Sequence, residues 1–413
     1  MPLIELPREL IEEILTRCDP VDVAMVAQTC STLRFIIYYA GDSKLWRDLY
    51  LLQPFDDPRT AVDQQGRSKP TPIDWKMELQ RIIRARNVLL EDDVFTVLRP
   101  GESSTLLRTL LDMVTTVSPR TSYENVRELS ANLLWVAAML RRGFIDQLEE
   151  SAATPPGDRQ LLARLHTFYG ITHADTRPQS RVKSRAYVYD MRHYRSESAF
   201  GPFLPGGKVN WEHMQALHHV VSMHLVELGE DEDFEFAVFP MSLPFTQIVT
   251  PSNLDEEKDW AGLTGSWVVS FCFCDHRDLM TFNHANVNTV DLSLLEDPEF
   301  REVFRSLAVN ITVVRTEPDP NHPARPIIHF QGKMTDASNS TMTGHVKMTP
   351  DNEVLWHFVS GEPGSMIWSS EGVQVGGLRS SFGVLGSWST IFHEEDDPVG
   401  PFWLRKHIHD IVI

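Results

Sequence analysis

At 413 residues the chain exceeds one ordinary domain and predicts two or three. It is 42% hydrophobic and 23% charged, enough for sizeable cores, which excludes disorder by composition. Lys and Arg total 38 against 57 Asp and Glu, a formal net charge of -19, so the surface repels phosphate backbones and nucleic acid is not expected as a partner. Four cysteines make no disulfide framework, and the pair Cys272 and Cys274 has no second pair to complete a zinc site. Reduced thiols suit the cytosol or nucleus. No basic start leads into an apolar stretch, and the longest apolar run, Leu133 to Leu140, is too short for a membrane span. A soluble intracellular protein is expected.

Residues 3–51 read as a compact set of short helices. Pro7 suits the first position of a helix, and Leu10, Ile11, Ile14 and Leu15 form its apolar stripe, with Glu12 and Glu13 on the wet side. Asp19-Pro20 starts a second helix, whose stripe is Val23, Val26, Ala27 and Cys30. Ser31-Thr32 starts a third, with Leu33, Ile36, Ile37 and Ala40, and Gly41 ends it before Leu45, Trp46, Leu49 and Tyr50 close the unit. So small a unit carries more apolar surface than it can bury alone. Leu6, Pro7, Leu10 and Ile14 are therefore expected to be buried against another protein.

Residues 52–73 carry Pro54, Pro58, Pro70 and Pro72 among polar residues and read as a linker. Residues 74–232 read as mainly helical. Their stripes are Trp75, Leu79, Ile82 and Ile83; Leu129, Leu133, Val136, Ala137 and Leu140; Leu161, Leu165, Phe168 and Tyr169; and Met214, Leu217, Val221, Leu225 and Leu228. A basic loop with Arg177, Arg181, Lys183 and Arg185 is expected before the last of these. From residue 233 to 413 the texture is β-rich, with strands at Trp267–Phe273, Leu307–Val314, Ile327–Gln331, Val354–Val359 and Val384–Phe392 and one short helix near Pro298–Phe304. The fold class is α+β multidomain, ending in an antiparallel β-barrel or sandwich.

The N-terminal order Leu6 to Leu10, Glu13 to Leu15, Asp19 to Asp22, Cys30 to Arg34 and Leu45 to Arg47 resembles the F-box motif almost throughout. Cys18 departs from it, where the family more often has a larger aliphatic residue. The resemblance implies a three-helix F-box that docks on the Skp linker protein, and through it on a cullin. It implies docking residues Leu6, Pro7, Leu10, Ile14, Leu15, Val23, Val26 and Leu33. It further implies that the region beyond the F-box recruits a client protein for ubiquitination.

Two triplets, Gly265-Ser266-Trp267 and Gly386-Ser387-Trp388, stand in the C-terminal region. A Gly-x-Trp at the first strand with Arg405-Lys406 near the last resembles the calycin (lipocalin-like) pattern, which implies that the Trp closes one end under a basic side chain. The stretches Ser370 to Gly377 and Asp397 to Trp403 resemble the C-terminal block of a group of fungal F-box proteins.

Chemistry is not expected. His213, His218, His219 and His224 never fall three or four apart as a helical zinc pair must, and His407 with His409 reads as incidental. Gly201 to Lys208 lacks the spacing and the Ser or Thr of a phosphate loop. Neither a Gly-x-Ser-x-Gly elbow nor a Gly-x-Gly-x-x-Gly fingerprint is present. The run Glu394 to Asp397 reads as a solvated loop. The sequence thus predicts a non-catalytic adaptor without cofactor or metal. Its rivals are a barrel holding a small apolar ligand and an F-box protein acting with the linker outside a ligase.

Overall fold

The structure is a computed structural model that describes residues 3–39, 41, 43–123, 125, 128–151, 154–226, 239–250, 254, 257–284, 292–297, 300–335 and 340–407. Ala40, Leu228, Pro298 and His409, named above, lie outside them.

Short helices open the chain: α1 (Arg8–Leu15), α2 (Pro20–Val26), α3 (Ser31–Tyr38) and α4 (Lys44–Leu51). Asp19 caps α2 by accepting from the Val21 amide at 2.9 Å. Ile11, Leu15, Val23, Leu33, Ile37, Leu45 and Leu49 make the interior of this bundle. The indole of Trp46 donates to the Ile37 carbonyl at 2.8 Å and fixes α4 against α3. Aromatic contacts carry the core onward, Tyr50 to Trp75 at 5.6 Å and Tyr50 to Phe55 at 5.5 Å. Outside, Arg86 grips the Asp19 carboxylate through both Nη atoms at 2.7 and 2.8 Å.

The helical layer comprises α5 (Trp75–Leu89), α6 (Ser103–Thr115), α7 (Ala131–Leu140), α8 (Phe144–Glu150), α9 (Pro156–Tyr169), α10 (Pro178–Val188) and α11 (Trp211–Ser222). The expected basic loop is in fact α10. Pro178 starts it, and Val182 and Val188 bury one face. Arg185 lies inside too, paired with Glu302 at 2.5 Å, so the cluster of positive charge is partly a buried ion pair.

Within residues 52–73, Asp56, Pro58, Ala61, Val62 and Gln65 are buried, while Pro70, Thr71 and Pro72 are exposed. Asp56 is buried and accepts hydrogen bonds from the Ser118 and Ala131 amides, both at 2.9 Å, while its own amide donates to Asn132 Oδ1. Gln64 donates to the Gly376 carbonyl at 2.7 Å, and Gln65 to that of Asn352 at 2.8 Å. The composition of this stretch was a poor guide because prolines and polar residues serve a hydrogen-bonded strap as well as a free tether.

After two short helices, α12 (His276–His284) and α13 (Ser293–Glu296), come the later strands of a barrel whose first strand precedes them. The strands are β1 (Gly265–Cys274), β2 (Glu302–Glu317), β3 (Ile327–Met334), β4 (Thr341–Met348), β5 (Val354–Glu362), β6 (Ser365–Gln374), β7 (Val384–Thr390) and β8 (Gly400–Lys406). Each pairs antiparallel with its neighbours in sequence, and β1 also pairs with β8, which closes the barrel. Closure removes every open edge and decides against a sandwich. The short helix expected near Pro298–Phe304 is misplaced. The helix is α13, and Glu302 to Phe304 begin β2, because Val303, Arg305 and Leu307 continue the alternation that pairs with β1.

Glycines make room for rings inside the barrel. Gly372 lies opposite Gly386, and a Cβ on either would come within 2.7 Å of the Phe402 ring. Phe402 in turn meets Phe358 edge-on at 5.2 Å. At Gly376 the φ of 93° and the Thr246 backbone, 2.3 Å from where a Cβ would lie, both require glycine.

Candidate interaction sites

Helix α1 reverses the usual burial rule. Glu12 is buried and bound to Arg8 Nε at 2.6 Å, contrary to the wet position expected for it. Leu10 and Ile14 stand in water, at 51% and 43% exposure. The cause is rotational: Ile11 and Leu15 point into the bundle, Glu12 lies beside them, and Leu10 and Ile14 are left on the flank.

The eight residues expected to dock the linker divide by environment. Pro7, Leu10 and Ile14 are exposed and Leu6 and Val26 half-buried, while Leu15, Val23 and Leu33 lie in the bundle core. The structure adds large apolar side chains that the sequence reading passed over: Met25 on α2 at 60% exposure, and Phe35 and Tyr39, at 62% and 63%, in and just after α3. Their signal was available. Each falls off the i, i+3, i+4 stripe of its own helix, where a polar residue is expected. Phe35 and Tyr39 stack at 6.5 Å, so this part of the exposed apolar surface is continuous.

The second site is the open end of the barrel. The opposite end is shut by Trp267, which packs on Trp356 at 5.3 Å, with Trp356 on Phe330 at 5.5 Å. Lys406 Nζ lies 5.7 Å from the Trp267 ring and 5.1 Å from that of Tyr123, and it donates to the Gly262 carbonyl at 2.9 Å. Of the two basic residues considered, Lys406 therefore serves the tryptophan, while Arg405 lies over Trp403 at 5.0 Å. Burial lowers the Lys406 pKa.

At the open end a cavity of about 450 Å³ is lined by Phe271, Phe273, Leu307, Met334, Trp368 and Trp388, among others. Trp368 and Trp388 meet edge to face at 5.4 Å. The Trp388 indole donates to the Cys272 carbonyl at 3.0 Å, which anchors its ring. Arg305, exposed, brings a cation to the lining and lies 6.0 Å from the Phe273 ring. Ile367, Trp368, Ile391 and Phe392 extend apolar surface outward from the strand ends. Of the acidic run, Glu394, Glu395 and Asp396 face water, whereas Asp397 is buried and accepts from the Glu394 amide at 2.9 Å, holding the loop. Sequence reading missed Trp368 because Ser369, Ser370, Glu371 and Gly372, which follow it in β6, are polar or small and hide the strand's character.

The helices brace the barrel through buried charge. Glu302 at the start of β2 accepts from Arg185 Nε at 2.7 Å and from the Tyr189 hydroxyl at 2.9 Å. Burial alone would raise its pKa, but His224 and Arg185 outweigh that and hold it low. Arg164 on α9 pairs with the buried Glu353 at 2.5 Å. Three of the four histidines on and after α11 are interior. Burial lowers His213 to about 3, and lowers His218 to about 4 even though its Nε2 donates to the Met241 carbonyl at 2.7 Å. His219 meets Ser184 Oγ at 2.6 Å. They are packing and hydrogen-bonding residues of the layer.

Residues 3–52 match the F-box-like family model, so the chain carries an N-terminal F-box-like domain joined to a helical layer and a closed β-barrel. F-box domains in general bind a Skp-type linker and serve non-catalytic adaptors of ubiquitin ligases. The chain matches no curated protein and no solved structure.

Proposed function

We propose that this protein is the substrate-recruiting adaptor of a cullin-RING ubiquitin ligase, working in the cytosol or nucleus. The F-box-like domain binds the Skp linker and through it a cullin. The barrel captures a client protein at its open end, and partners perform ubiquitin transfer, so the chain contributes proximity and orientation. The observation that carries this reading is the exposure of Leu10, Ile14, Met25, Phe35 and Tyr39 within the segment that matches the F-box-like family. The strap and the buried ion pairs then support a fixed geometry between linker and client.

Capture is expected at the Phe271–Phe273–Trp368–Trp388 cavity, which takes an apolar client side chain. The test is copurification with wild-type chain and with Trp368→Ala. Loss of client proteins with linker and cullin retained supports the reading. An unchanged set of bound proteins places client capture elsewhere.

The cavity favours a second reading, a small apolar ligand held in the barrel, because about 450 Å³ falls within the range of small-molecule sites. Mass spectrometry of the purified chain, native and then denatured, separates the two: a stoichiometric released compound supports the ligand.

A further inference from the structure

Three histidines stand side by side across the barrel wall. His329 on β3 lies directly opposite His345 on β4, and His345 opposite His357 on β5. Glu371 on β6 is next in the same row. Directly opposed residues on adjacent strands have Cβ atoms about 5 Å apart, which suits two imidazoles to one ion. The ring centroids are 5.0 Å apart for His345 and His357, and 6.1 Å for His329 and His345.

Carboxylates hold the outer members of the row. Glu371 binds His357 Nδ1, and Glu317 lies 3.1 Å from His329 Nε2. A carboxylate on one ring nitrogen fixes the tautomer and leaves the other nitrogen's lone pair for a metal. Glu371 is itself hemmed in, since a Cβ on Gly201 would come within 2.5 Å of its own Cβ.

We propose that His345 and His357, backed by Glu371, form a binding site for a divalent transition-metal ion that prefers imidazole, such as Zn2+ or Ni2+. Among the described residues no three ligating side chains gather around one point. The two imidazoles therefore supply the protein's ligands and water completes the coordination, with Glu371 as orienting partner. Bridging β4 to β5, the ion pins two adjacent strands of the wall.

The test is calorimetric titration of Zn2+ into the chelator-treated full chain, beside His345→Ala, His357→Ala and Glu371→Gln. One saturable ion is expected for wild type. It is lost in each histidine variant and weakened about tenfold or more in Glu371→Gln. The melting temperature rises with Zn2+ in wild type and stays put in the histidine variants, whose metal-free melting reports that they are folded. Equal binding in both histidine variants, or no saturable binding by wild type, overturns the proposal.

Discussion

Two regions of the molecule leave large apolar side chains in water in opposite shapes. On the F-box-like domain Leu10, Ile14, Met25 and Phe35 stand on convex helix surfaces. At the barrel Phe271, Phe273, Trp368 and Trp388 line a concavity. A convex ridge loses its water only inside another protein's groove, whereas a hollow is filled by one side chain or one small molecule. The first surface therefore suits a broad constant partner and the second a narrow selective one. In each region an exposed set lies beside a buried one of the same chemistry, and that contrast is open to measurement.

The largest effect should come from the barrel. Trp356 is fully buried between Trp267 and Phe330, and Trp356→Ala is expected to cost about 3–5 kcal/mol in chemical unfolding. Trp368→Ala at the rim, 36% exposed and edge to face with Trp388, should cost less, about 1–2 kcal/mol. Equal costs would mean that the rim is core. The N-terminal pair behaves alike: Leu15→Ala, in the bundle interior, is expected to cost about 2–5 kcal/mol and Leu10→Ala about 0.5 or less.

Acid should loosen the helical layer. His213 and His218 are held down to about 3 and about 4, below their unfolded value of about 6.5. Their stabilisation is complete above about pH 6.5 and is lost as pH falls toward those values, at about 1.4 kcal/mol per pH unit each. His166, bound to Glu149 and Asp175, has the opposite sign, because its pKa is raised despite burial. Its contribution is full below about pH 6.5 and declines only as pH rises through the folded pKa, so it does not mask the acid slope. Urea midpoints measured from pH 7 to 5 should fall; a flat profile contradicts the burial of neutral histidines. A smaller effect than that of Trp356→Ala is expected at the barrel's shut end, where Lys406→Met removes the cation over Trp267 at a cost of about 1 kcal/mol.

Much of this was legible in sequence because local chemistry and fold agree. Asp19-Pro20 starts α2, and the alternation from Trp267 to Phe273 is β1. The F-box order of motifs also marked Leu10 and Ile14, which the structure leaves exposed. What escaped was set by tertiary context. Strands β4 and β6 break their apolar alternation with glycine, and at Gly372 this admits the Phe402 ring. Glu12 is buried through its pairing with Arg8, a matter of side-chain contact that periodicity does not record. The histidine row is likewise invisible along the chain, since its members meet only through strand register.

The central claim is that the outer flank of α1 is a binding surface and not an unfinished core. Capture of a Skp-type linker and cullin by wild-type chain and by the Leu10→Asp, Ile14→Asp double variant tests it directly, with circular dichroism and melting as the check on folding. The expected result is loss of linker and cullin from a variant that melts as wild type does, with barrel-bound clients retained. Linker recovered equally by both chains, or by neither, contradicts the account.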